Sequence, residues 1–218
     1  MPELRFQIED AGVVPYSALP LIALKLRITN DPPDQAIHTL ALRCQVQIEP
    51  AKRRYVREEQ EQLSDLFGEP ERWGKTVRPL LWMNSSVSVT GFNGSTLVDL
   101  QLPCTFDFNV AATKYFHALG SGDIPLNILF SGTAFYENEH GLLQTEQIPW
   151  DREASYRLPV EAWKSMMDAH YPNTAWLSLS RDTFEKLYRY KVRHGIPTFE
   201  RVLDALVPEE VPAIEVKA

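Results

Sequence analysis

Apolar and polar residues alternate with a period of two through the first two thirds of the chain, the signature of half-buried strands whose apolar sides share one core. The run IHTLALRCQVQIEP shows it best. Leu40, Leu42, Cys44, Val46 and Ile48 fall on one side, and Thr39, Arg43, Gln45, Gln47 and Glu49 on the other. The same alternation groups Leu4 with Phe6 and Ile8, then Ile22, Leu24, Leu26 and Ile28, then Val87 with Val89, then Val98, Leu100 and Leu102, then Phe106, Phe108 and Val110. Further strands are predicted at about 125–136, 142–148 and 154–158. Turn chemistry separates these runs at NDPPDQ, GFNGS, LPC and ENEHG. Short strands joined by loops, without a helix between each pair, predict a fold that is mainly β with α: an antiparallel β-sandwich, with a closed barrel as its rival.

Two segments break the rhythm. Residues 51–82, AKRRYVREEQEQLSDLFGEPERWGKTVRPLLW, read as an insertion with a helix from Val56 to Phe67, ended by Gly68 and Pro70. Leu63, Leu66 and Phe67 share one side of it, so the insertion should lie across the mouth or flank of the sandwich, as a cover for a sheet edge or as a functional element. From Pro159 the period becomes helical, with Val160, Trp163, Met166, Met167 and His170 in one stripe and Pro172 as the stop. Residues 1–158 are therefore read as the sandwich and 159–207 as helices packed on it. Residues 208–218, acidic and proline-containing, are read as a flexible tail.

LYRYKVRHGIPTF, residues 187–199, is basic and aromatic like a nucleic-acid patch, but helix physics accounts for it. Ser180 is suited to cap a helix reaching His194, with Gly195 as its C′ residue and Thr198 as the cap of the next helix. Phe184, Leu187, Tyr188 and Val192 form the stripe expected to be buried, followed by Phe199, Val202, Leu203 and Leu206. Asp182 with Lys186 and Glu185 with Arg189 are i,i+4 pairs, and the cations in the last turns meet the negative end of the helix dipole. Tyr190 lies off the stripe, placed to contact a partner or to cover the bend at Gly195. A formal net charge of -7 repels polyanions over most of the surface, so no nucleic-acid partner is expected.

MPELRFQIED alternates from its start instead of showing a basic and then apolar leader, and LPLIALKLRI is too short and too charged for a membrane span. The expectation is a cytoplasmic protein without a membrane partner. Cys44 and Cys104 then read as buried thiols packed as small hydrophobes, with a sandwich-pinning disulfide as the alternative.

The sequence shows no pattern for cofactor or metal chemistry. Five histidines stand singly at 38, 117, 140, 170 and 194, without HExxH or CxxC spacing. Glu137, Glu139 and His140 share one loop, which reads as a polar hairpin turn ahead of a divalent-ion site. There is no GxSxG, phosphate loop or dinucleotide fingerprint, so no catalytic residue is assigned. Asp107, between Phe106 and Phe108, should face solvent. Of five tryptophans, Trp73 in GEPERWGKT stands out as the exposed candidate for a glycan platform.

At LSDLFGEPERWGKTVRPLLW, LPCTFDFNVAATKYFHAL, DIPLNILFSGTAFY and RDTFEKLYRYKVRHGIPTFERVLDAL the chain resembles, over nearly its whole length, a bacterial family of unassigned function. Members of that family tend to be encoded among genes for uptake nickel–iron hydrogenases and their maturation factors. The resemblance implies an accessory role and transfers no catalytic residues. The leading expectation is a non-enzymatic scaffold that binds another protein, one related to a hydrogenase, through the insertion, the C-terminal helices or both. Phe67, Trp73 and Tyr190 are the candidate contact residues. A small-ligand or glycan-binding sandwich and a hydrolase with an unmarked acid–base site are the alternatives.

Overall fold

Two antiparallel sheets are stacked around one apolar core, as the alternation requires. The computed structural model describes residues 2–107, 109–138 and 140–207. The first sheet has three strands, β1 (Glu3–Val13), β2 (Leu21–Asp31) and β5 (Ser95–Pro103), in the order β1-β2-β5. The second contains β3 (Ile37–Ile48), β4 (Leu80–Phe92), β6 (Asp123–Glu137), β7 (Leu143–Ile148) and β8 (Glu153–Pro159). Its order is β4-β3-β6, with β7 and β8 both pairing the far side of β6. The mainly β architecture is thus a sandwich.

Register carries the alternation into the core. Ile22, Leu24, Leu26 and Ile28 are fully buried, and on β5 Leu102, Leu100 and Val98 stand opposite the first three. The stripe Leu40 to Ile48 on β3 is likewise buried between β4 and β6. Phe6 of β1 stacks on Phe130 of β6 with ring centroids 4.4 Å apart, which joins the two sheets. Gly132 of β6 has φ of 138°, and a Cβ there would come within 2.0 Å of the Ala41 carbonyl oxygen, so only glycine lets β6 lie this close to β3.

The helices are α1 (Arg57–Phe67), α2 (Trp73–Thr76), α3 (Val110–Ala118), α4 (Val160–His170), α5 (Arg181–Arg193) and α6 (Phe199–Leu206). The inserted segment is slightly shorter than the sequence suggested, because Leu80, Leu81 and Trp82 already belong to β4. The strand expected at 106–110 is absent. Phe106 and Asp107 form a turn, and Val110 opens α3. Asn109 decides this: its side-chain oxygen accepts from Ala112 N at 3.0 Å as an N-cap, while its amide donates to the Leu81 and Trp82 carbonyls of β4. Ala112, Tyr115, Phe116 and Leu119 then form the buried helical stripe that the short FDF alternation concealed. Phe106 is buried and Asp107 exposed, as expected, whereas Phe108 lies outside the described residues.

The chain divides into two compact units, Met1–Thr174 and Ala175–Ala218. The helical region expected as one segment at 159–207 is split between them. α4 belongs to the first unit, where Val160, Trp163, Met166 and Met167 are buried in the core. α5 and α6 form the second. The expected tail at 208–218 lies outside the described residues.

Candidate protein-docking surface

The second unit is a helical hairpin whose ends are fixed by its own side chains. Ser180 Oγ accepts from Thr183 N at the start of α5, and Thr198 Oγ1 accepts from Arg201 N at the start of α6, both at 3.3 Å. Gly195, with φ of 64°, makes the left-handed residue that ends α5 and turns the chain. Glu185 and Arg189 form the anticipated i,i+4 pair at 3.2 Å. The rings of Phe184 and Phe199 meet at 5.3 Å, and Val202 is fully buried.

Most of the remaining apolar stripe is exposed, with Leu187 half-buried, which corrects the sequence expectation. Tyr188 and Val192 on α5, and Leu203 and Leu206 on α6, are all solvent-accessible, Val192 to 61%. Two short helices have one seam between them, and Phe184, Phe199 and Val202 occupy it. Trp176, Leu177 and Leu179, just before α5, add further exposed apolar surface. Buried against a partner, a side chain of this size contributes about 1.5–3 kcal/mol, so a few of them suffice for a specific contact. Tyr190 is half-buried, with its ring 4.3 Å from that of His194.

The insertion has a different character, being pinned by a buried ion pair. Arg53 and Glu59 side chains are 9% and 6% exposed and meet at 2.8 Å. Arg53 also donates to the carbonyls of Asp123 and Ser121, both at 2.6 Å, and Glu59 accepts from Gly120 N at 2.8 Å. α1 is thereby tied to the loop that joins α3 to β6. Beside this pair, Tyr55 and Tyr115 share a hydroxyl contact of 2.9 Å, and Tyr55 donates to the Pro50 carbonyl. Burial pushes both phenols above the ordinary tyrosine range, Tyr115 to about 12, so neither ionises near neutral pH and both serve as neutral cross-links.

Phe67 and Trp73 come together, but mostly inward. Phe67 is a core side chain packed edge-on against Trp73 and Tyr115. Trp73 is half-buried, packs on Tyr55, and donates from its indole N–H to the Gly68 carbonyl at 2.8 Å. The fully presented tryptophan is instead Trp150, in the turn between β7 and β8, with 89% of its surface exposed. The pin could have been found in the sequence, because Glu59 lies four residues before Leu63 and eight before Phe67. An acid on an apolar helical stripe requires a buried cation.

Cys44 and Cys104 are both buried free thiols, and burial pushes each to about 12. Among the described residues no three His, Cys, Asp or Glu side chains converge as metal ligands, and Glu139 of the ENEHG loop lies outside them. His38 approaches Glu137 at 3.4 Å. No helix among the described residues is long and apolar enough to cross a membrane.

Comparison with known families gives one decisive match. The model of DUF6084, a family of unknown function, matches residues 1–214. The chain belongs to DUF6084. No curated protein matches this DUF6084 chain significantly. Among solved structures it is similar to the CARDB domain of a Pyrococcus furiosus protein in complex with di-metal ions, at 12% identity and a TM-score of 0.28, over 72% of this chain and 92% of that one. It is also similar to the solution structure of a protein described as late embryogenesis abundant, at 12% identity and a TM-score of 0.31, over 73% of each chain.

Proposed function

We propose that this DUF6084 protein is a non-enzymatic cytoplasmic accessory scaffold that docks another protein on the exposed apolar face of α5 and α6. The observation that carries this reading is the set of exposed apolar side chains on the hairpin, Tyr188 and Val192 on α5 and Leu203 and Leu206 on α6. Apolar side chains grouped in this way favour association far more than the same residues scattered singly. The pinned insertion supports the same reading, because the Arg53–Glu59 pair holds α1 as a rigid part of the sandwich and not as a mobile lid. The resemblance noted in the sequence gives the partner class: a hydrogenase subunit or maturation factor, whose assembly the scaffold assists.

The test is affinity purification of the full chain from its native host, with identification of what accompanies it. The reading predicts a stoichiometric hydrogenase-related protein that is lost in the Tyr188→Glu/Val192→Glu variant. Retention of that protein by the variant would remove the docking face from the account.

A further inference from the structure

The outer face of the five-stranded sheet carries a feature that the docking reading does not use. Between β4, β3 and β6 lies a cleft of about 340 Å³, within the size range of small-ligand sites. Register arranges its lining in rungs: Ser86, Arg43 and Ser131 stand side by side, and so do Asn84, Gln45 and Leu129. Strand geometry makes this a grid of roughly 5 by 7 Å. Gln47 donates to Gln45 Oε1 at 3.1 Å and so steadies that amide. Arg43, Asn84, Ser86 and Ser131 make no side-chain hydrogen bond or ion pair among the described residues. Their capacity for donating and accepting is open to a ligand.

The cleft also has an aromatic wall. β7 pairs β6 at Gly132–Glu137 and β8 pairs it at Asp123–Leu129, so the turn between them crosses the sheet edge beside Phe130 and Ser131. Phe130 N donates to the Arg152 carbonyl at 2.9 Å and fixes that turn. Trp150, at the turn, lines the cleft with its ring otherwise exposed.

We propose that this cleft binds a neutral oligosaccharide. Amides, hydroxyls and one guanidinium fork match adjacent sugar hydroxyls, and an exposed indole matches the apolar C–H face of a pyranose ring. The other ligand classes fit less well. A nucleic acid needs several cations for its phosphates, and the cleft offers Arg43 alone. A lipid chain would leave the polar rungs unpaired. A chain of net charge -7 also disfavours acidic glycans. This inference is independent of the docking face on α5 and α6.

The test is titration of the full chain with maltotetraose, cellotetraose, chitotetraose and tetragalacturonate, followed by tryptophan fluorescence and calorimetry. At least one neutral tetramer should bind with saturation. Trp150→Ala should weaken it at least tenfold, equivalent to about 1.4 kcal/mol, with the melting temperature unchanged because the ring supports no packing. Asn84→Ala should weaken it without affecting the fold. Three results would each overturn the proposal: no neutral tetramer binding into the millimolar range, binding that Trp150→Ala leaves intact, or binding confined to tetragalacturonate.

Discussion

Removing the Glu59 carboxylate should destabilise the first unit strongly. In Glu59→Ala, Arg53 keeps only the Ser121 and Asp123 carbonyls as acceptors, its guanidinium stays buried without a counter-charge, and Gly120 N–H loses its acceptor. The helix start suffers as well, because Glu59 Oε2 also accepts from Val56 N at 3.4 Å. Breaking a buried pair from one side costs about 3–5 kcal/mol. For a chain of this size each kcal/mol lowers Tm by about 2–4 °C, so the expected fall is roughly 6–20 °C. The assay is urea and thermal unfolding followed by circular dichroism, on Glu59→Leu, Arg53→Leu and the double variant Arg53→Leu/Glu59→Leu, with Glu59→Ala beside them. Since the removal of both charges leaves no unpaired ion, the double variant should be more stable than the sum of the two single losses predicts, by about 1–3 kcal/mol. Single losses below about 1 kcal/mol, or strict additivity, would show that the pair does not hold the insertion.

Three further outcomes follow from the geometry. The buried thiols should resist Ellman's reagent until the chain unfolds. Because their folded pKa is raised, their contribution is complete below the unfolded value of roughly 8.5 and is lost as pH rises from there towards 12, by about 2 kcal/mol per thiol at pH 10. Cys44→Ala should therefore lose less stability than the parent between about pH 8 and pH 10 in urea titrations. Gly132→Ala should cost about 3 kcal/mol or more in chemical unfolding, because a Cβ would collide with the Ala41 carbonyl at a backbone angle that side chains disfavour. Tyr55→Phe should cost about 1–3 kcal/mol by leaving the Pro50 carbonyl and the Tyr115 hydroxyl without their partner, whereas Tyr115→Phe should cost less, since Tyr55 keeps its bond to Pro50.

Much of the fold can be read directly from the sequence, because its information is local. Period-two alternation locates the strands, and Ser180, Thr198 and Gly195 mark helix ends by the chemistry of their own side chains and backbones. What escaped depends on partners far away in the chain. The FDF triplet mimics a strand, while the ties from Asn109 to β4 that build α3 cross almost thirty residues. Periodicity predicts burial of the α5 stripe, yet it says only that a face is apolar, not that the same chain covers it. Trp73 and Trp150 both sit among turn residues. The Gly68 carbonyl and the Tyr55 ring draw one inward, and the crossing at the β6 edge turns the other out. Glu59 was the one legible clue to the pin, and it is intelligible only beside Arg53.

The proposed docking face is tested most directly by native-host purification of the intact chain beside its Tyr188→Glu/Val192→Glu variant, with both proteins first shown to have the same melting temperature. The account predicts an equimolar hydrogenase subunit or maturation factor with the parent and none with the variant. Equal recovery of that partner by both proteins, or purification of the parent without any such partner, would contradict it.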